Sequence, residues 1–287
     1  MTDRELYEAV ATAIRKGHPS MEVRYKNESW FMQLLGLLVY PFNQGYMDRL
    51  TTTIGSTVYF PALYIVREDF ERYARILAHE GVHIFDREQE GFRFFIKYLM
   101  PQALFVPLMA AFFVLGGWLA GLVLIGGLIT SYGALLAASM GLETVKARLG
   151  VFYSLAGLTM LGFFGAAVTT TGWLTALPVM ALMALAPWPA RWRAEYEYRG
   201  YAMGIAISCW KYGTYSDDMI ARRVQTFAGF EYYRMDPNKK AVRVRLEQIR
   251  EICKTGAILK GATAQPYRRI YDVYRNAGRV MPGVNYA

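Results

Sequence analysis

Apolar and polar positions divide the chain into three stretches. Up to about residue 98, hydrophobic residues recur among charges at helical or strand spacing. Residues 102–140 and 150–190 contain no charged side chain, and periodic polar segments return from 191. In the first stretch, Thr2-x-x-Glu5 is a capping box that predicts a helix through about Lys16. The β-branched and aromatic run Thr53–Phe60, stopped by Pro61, predicts a strand. Phe70, Tyr73, Ala74, Leu77, Ala78, Gly81 and Ile84 share one helix face, so a helix starts near Arg67. In the last stretch, residues 191–209 read as a helix and Ser216-Asp217 caps another. Asp236-Pro237 opens a basic helix to Gly256, and Pro266 starts a final one. The fold class expected is mainly α with a small β element.

A bilayer core takes about 20 helical residues, and each uncharged run is roughly twice that. Each run is therefore read as one long span or as a hairpin. Candidate turns are Gly116-Gly117, Gly126-Gly127 and Thr169-Thr170-Thr171-Gly172. Residues 99–190 then form a transmembrane helical insert between an N-terminal half, 1–98, and a C-terminal half, 191–287. Trp188 and Trp192 flank the second exit as interfacial anchors. Trp30–Tyr40 is too short to span and is expected to lie in the interface or to pack on the domain.

Composition narrows the class. With 54% hydrophobic and 19% charged residues the chain is not disordered, and two cysteines, Cys209 and Cys253, make no disulfide scaffold. The net charge of +9 sits at one end. Residues 1–98 carry 12 Lys and Arg against 13 Asp and Glu, whereas residues 190–287 carry 18 against 9. Eleven of those cations fall in 239–279, interleaved with Tyr267, Tyr271 and Tyr274. Glu247 with Arg243 and Glu251 with Lys254 are placed to form helical ion pairs. This surface reads as a solvated helix face beside a membrane, with anionic lipid as a possible contact and nucleic acid unlikely. Arg87, Arg93, Lys97, Arg191, Arg193 and Arg199 flank the insert, against Lys146 and Arg148 in its connection. The positive-inside bias therefore puts both halves on the cytoplasmic side of an integral membrane protein.

Two of the three histidines lie in His79-Glu80-Gly81-Val82-His83, an HExxH on the predicted helix. Residues i and i+4 share a face, so both imidazoles can reach one ion. Zinc is the ion expected, because catalytic zinc takes imidazole nitrogens and keeps a position open for water. Glu80 is then the general base. Gly81 costs helix stability and suits a close approach by backbone or substrate. His18, before Pro19, is an unusual third donor, and a carboxylate is preferred. Glu195 and Glu197 stand about 200° apart on their helix, so only one can face the metal. The small apolar line Ala202, Ile205, Ala206 and Cys209 continues from Glu195, which makes Glu195 the expected ligand and Glu197 the alternative.

This arrangement resembles the integral-membrane zinc metalloproteases of the CAAX prenyl protease and heat-shock membrane protease group. Those proteins carry HExxH, then membrane segments, then a glutamate ligand in a Glu-x-x-Ala-Asp stretch. HEGVH at 79–83, the apolar insert and RAEYEYRGYA at 193–202 follow that order. The family ligand, the first glutamate of its stretch, falls on Glu195. The aspartate four residues on is replaced by Arg199, and the family's earlier membrane helices are missing. The resemblance implies a zincin-like metalloprotease domain: a membrane-embedded zinc endopeptidase acting on protein or peptide substrate. Zn2+ would be held by His79, His83 and Glu195, with Glu80 as base. The upstream strand, about residues 56–60, would pair with extended substrate. The alternative is a non-enzymatic membrane, virion or envelope protein that keeps the zincin-like fold.

Overall fold

The computed structural model describes residues 1–40, 43–62, 64, 67–116, 118–139, 188–229 and 234–282, with short stretches between 141 and 184. Helix α1, Asp3–Gly17, starts at the expected capping box: the Thr2 side chain accepts from the Glu5 backbone, and the Glu5 carboxylate accepts from the Thr2 backbone. Strand β1, Glu22–Tyr25, follows, then α2, Trp30–Val39, and the short α3, Tyr46–Arg49.

The expected strand at 53–60 is a hairpin instead. Strands β2, Thr52–Ile54, and β3, Thr57–Phe60, pair antiparallel with Ile54 opposite Thr57. Gly55-Ser56 makes the two-residue turn, with Gly55 at φ +63°. Sheet order is β1-β3-β2, β1 lying parallel to β3. β3 is thus the central strand with both edges used. It cannot receive substrate as expected, and the edge next to the HExxH helix is β2.

Helix α4, Phe70–Glu90, is capped by Asp69 and carries the motif. Gly91 ends it and α5, Phe92–Leu99, turns away. Next come α6, Phe105–Gly116, and α7, Trp118–Ser139, both uncharged. Of the expected turns, Gly116-Gly117 includes a residue outside the described ones, whereas Gly126-Gly127 lies inside α7 rather than at a turn. The turn expected at 169–172 lies outside the described residues. Among the described residues no single helix is long and apolar enough to cross a membrane. One bent pair, Phe92–Leu99 with Gln102–Phe112, has the length and composition together but bends by 102°. In α7, Ile125–Ala137 is the shorter apolar stretch that stands out.

The C-terminal half supplies α8, Arg191–Tyr212; α9, Asp217–Ala228, capped by Ser216; α10, Lys239–Lys254; and α11, Gln265–Asn276 with proline in its first turn. The cap of α10 is Asn238, two residues later than expected, with its side chain accepting from the Ala241 backbone.

Both polar halves contribute to one core. Leu6, Leu77, Ile84, Met203, Trp210 and Tyr274 are fully buried in it. Each large apolar side chain so buried contributes about 1.5–3 kcal/mol. Helix α4 packs on α1 and α8, and α8 packs on α10. A Cβ at Gly81 would stand 2.9 Å from Ile14 Cδ1, so the glycine serves the contact of α4 with α1. Helix α2 buries Met32 and Gly36 but exposes Trp30, Phe31, Leu34, Leu37 and Leu38.

The basic C-terminal helices carry local ion pairs. Arg243 meets Glu247 at 3.7 Å and Lys254 meets Glu251 at 3.3 Å, both as expected, and Arg250 meets Asp217 at 2.6 Å. Tyr267, Tyr271 and Tyr274 are buried in the core. They are not available for stacking on an outside partner.

Candidate metal centre

Helices α4 and α8 run antiparallel, and one stripe on each faces the other. Pairs along the seam are Glu71 with Lys211, Arg75 with Ser208, His79 with Tyr201, and His83 with Glu197. The i,i+4 spacing on α4 brings the two motif imidazoles to the middle of this seam, with their Nε2 atoms 3.1 Å apart. Glu197 Oε2 lies 3.6 Å from His79 Nε2, and Glu197 Oε1 lies 3.8 Å from His83 Nε2.

His79, His83 and Glu197 form a group that can hold a metal ion, with one donor atom from each lying within 4.8 Å of the others. Three donors on a tetrahedral ion at about 2.05 Å stand about 3.3 Å from one another. The closest approaches, 3.1, 3.6 and 3.8 Å, the last two through different Glu197 oxygens, lie near that value. The surroundings fit as well. A Cβ at position 200 would lie 2.6 Å from the His79 ring, so only glycine lets α8 come this close.

Glu195, the expected third ligand, is not there. It is 53% exposed and meets Arg245 of α10 at 3.4 Å, whereas the Glu197 side chain is 7% exposed and faces both histidines. The apolar line continuing from Glu195 does pack, but not on the motif helix: the Ala202 carbonyl accepts from Cys253 of α10. Helix α8 is buried on several sides, and its wetter line, Glu197, Tyr201, Gly204 and Ser208, is the one that meets α4. His18 is also excluded as a donor to this centre. It is buried, and its Nδ1 lies 2.5 Å from Glu88 Oε2.

Glu80 lies beside the pair and is half-buried. The Thr53 hydroxyl of β2 donates to its Oε2 at 2.7 Å. Tyr98 of α5 donates to Glu197 Oε1 at 2.6 Å. Arg193 reaches back from α8 to the Tyr98 carbonyl, at 2.7 Å, and to Gln102 Oε1, at 3.0 Å. The apolar insert therefore leaves and rejoins the polar body at neighbouring points.

Burial alone would push the Glu197 carboxyl up. The hydrogen bond from His79, the charges of His83 and His79, and the Tyr98 hydroxyl outweigh it and hold the group well below the usual carboxylate range. Burial pushes His83 down. For His79 burial acts downward too, but the Glu197 hydrogen bond and the Glu80 charge prevail and raise it. Burial, then the Glu197 charge, drives the Tyr98 hydroxyl far up, so it stays a donor.

Three nearby groups carried no sequence signal. Asp86, one helical turn beyond His83, is buried and meets Arg199 at 2.7 Å. Burial pushes its carboxyl up to about 7 against the pull of Arg199. Lys26 is fully buried behind Glu80, donates to the Tyr46 carbonyl at 2.7 Å and lies 3.5 Å over the Tyr46 ring. Burial pushes it down to about 7, opposed by Glu80 and Asp48. Tyr98, third of these, lies just before the apolar insert, where nothing in its neighbours marks a polar role.

No family model matches the chain, and neither a curated protein nor a solved structure is significantly similar to it, so the centre rests on its own geometry.

Proposed function

We propose that the protein is a membrane-associated, zinc-dependent peptide hydrolase with a zincin-like active site. The observation that carries this reading is the convergence of His79, His83 and Glu197 beside a glutamate that is free of the ligand set. Two imidazoles and one carboxylate suit zinc, which when bound supplies Lewis acidity that polarises a carbonyl and acidifies water.

The chain's own residues do the rest. Glu80 takes a proton from water at Oε1 and passes it to the leaving amine. Thr53 keeps the carboxylate turned toward the metal ligands. Tyr98 holds Glu197 in its orientation, as outer-shell partners do at metal sites. Among the described residues β2 is an outer strand, and its edge gives extended substrate backbone a place to pair across from α4. Charge-free α6 and α7 sit in the bilayer in this reading. The apolar face of α2, and Trp188 and Trp192, both exposed, lie at its surface. The flanking Lys and Arg residues favour a cytoplasmic catalytic side.

The test uses the full chain purified in detergent. About one zinc per chain and time-dependent cleavage of casein are expected. Glu80→Gln should keep the metal and abolish cleavage, because the carboxylate is needed as a base and not as a ligand. Full activity in that variant gives Glu80 another role. Zinc without any turnover in the native chain points instead to a non-enzymatic membrane protein.

A further inference from the structure

The seam between α4 and α8 opens beside the metal ligands into a cleft of about 970 Å³. His79 and Glu80 are among its lining residues. Five arginines line the rest: Arg49 of α3, Arg72 and Arg75 of α4, and Arg222 and Arg223 of α9. Besides Glu80, three acidic residues line it, each with a partner of its own. Asp3 is paired with Arg279 at 2.8 Å, Glu71 with Lys211 at 2.5 Å, and Asp69 caps α4. The arginines have different company. Arg75 donates to a neutral hydroxyl, Ser208 Oγ, at 3.2 Å, and Arg72 and Arg223 lie over the rings of Tyr64 and Tyr201. Among the described residues none of Arg49, Arg72, Arg75 and Arg222 is ion-paired to a carboxylate.

A groove that keeps several guanidinium groups beside the proposed hydrolytic centre, with two of its acids already ion-paired, is complementary to an anion. Spacing sets where that anion lies. Arg75 and Arg72 precede His79 by four and seven residues on α4, about 6 and 10 Å along the axis. Extended peptide advances about 3.3 Å per residue. We infer that the cleft selects peptides bearing a carboxylate, from an acidic side chain or a free C-terminus, two or three residues to one side of the bond to be cut. This inference rests on the peptidase reading for its meaning, but binding tests it separately.

The full-length E80Q chain, in detergent and with its metal content measured, is mixed with random nine-residue peptides, and the retained peptides are sequenced. One library has free C-termini and the other has C-terminal amides. Retention of carboxylate-bearing peptides about tenfold above neutral ones is expected, as for charge-assisted hydrogen bonds in a cleft. Loss of that excess in the amide library assigns the terminal carboxylate, and its survival with Asp or Glu enriched assigns the side chain. R72Q/R75Q should erase the preference while metal content stays constant. R222Q, on an exposed helix position, serves if the double variant fails to fold. Equal retention of neutral or basic peptides overturns the inference, as does a preference unchanged in the variants. Binding of phosphatidylserine vesicles with no peptide preference also overturns it, in favour of lipid. Native chain that retains acidic peptides but cuts none refutes the hydrolase and not the recognition. Cleavage indifferent to charge does the reverse.

Discussion

Two sides of helix α8 treat a glutamate in opposite ways. On the side facing α10, Glu195 is 53% exposed and paired with Arg245, itself 52% exposed, across 3.4 Å. On the side facing α4, Glu197 is 7% exposed, within 4 Å of two imidazoles and held by a tyrosine hydroxyl. The first is a surface ion pair, worth about 0–1 kcal/mol and screened by salt. The second is a buried charge that needs its partners, because a carboxylate desolvated without them costs several kcal/mol. Two residues along one helix separate a side chain that can be lost from one around which the site is assembled.

The contrast is broken most directly at Glu197. Glu197→Gln should weaken metal binding by more than about 100-fold, since even outer-shell changes cost 10–100-fold. Metal titration of the purified chain measures this, and retention of native affinity would remove Glu197 from the ligand set. A smaller effect is expected from Gly200→Ala. The new Cβ would press on the His79 ring from 2.6 Å, so the helices must part or the imidazole must turn. A loss of about 1–3 kcal/mol, typical of overpacking, should appear in the urea midpoint together with weaker metal binding.

Asp86 sharpens the comparison through pH. Its folded-state pKa is raised to about 7, above the ordinary value of 3.8. Between those values the unfolded chain has released a proton that the folded chain keeps. Stability from this group is therefore full below about pH 4 and declines as pH rises to about 7. Asp86→Asn should lack that decline. The stability difference between native and variant, followed from pH 4.5 to 7.5, should move in the variant's favour, and a constant difference would contradict the burial argument. Least of all is expected from Glu195→Gln: a thermal midpoint equivalent to within about 0.5 kcal/mol, with metal affinity unchanged. A clear loss there would mean that the two sides of α8 are not as different as their burial indicates.

Much of this was readable in the residues. Capping signals located α1 and α9, and the apolar spacing of 70–84 located the motif helix with both histidines on one face. The β-branched run at 53–60 reads as one strand, and Gly55-Ser56 is the dipeptide that folds it into a hairpin. Glu195 was preferred on the premise that a small apolar face must seek the motif helix. In a helix buried on several sides that premise fails. The ion-binding group and its hydrogen bonds lie instead on the polar line. The period in Glu197, Tyr201, Gly204, Ser208 and Lys211 mirrors Glu71, Arg75, His79 and His83, and matching the two lines would have found the pairing. Asp86, Lys26 and Tyr98 were out of reach, since their partners lie far away in sequence and only the packed core brings them together.

The separation of the donors has a meaning in time. His83 and Glu197 are 114 residues apart, with the whole apolar insert between them. At about 5–20 residues per second, roughly 6 to 23 s pass between synthesis of the second histidine and of the glutamate. Throughout that interval the nascent chain holds only two of the three donors. In the proposed hydrolase, the same connection that takes the chain through the apolar insert delays its armament until that insert has been made.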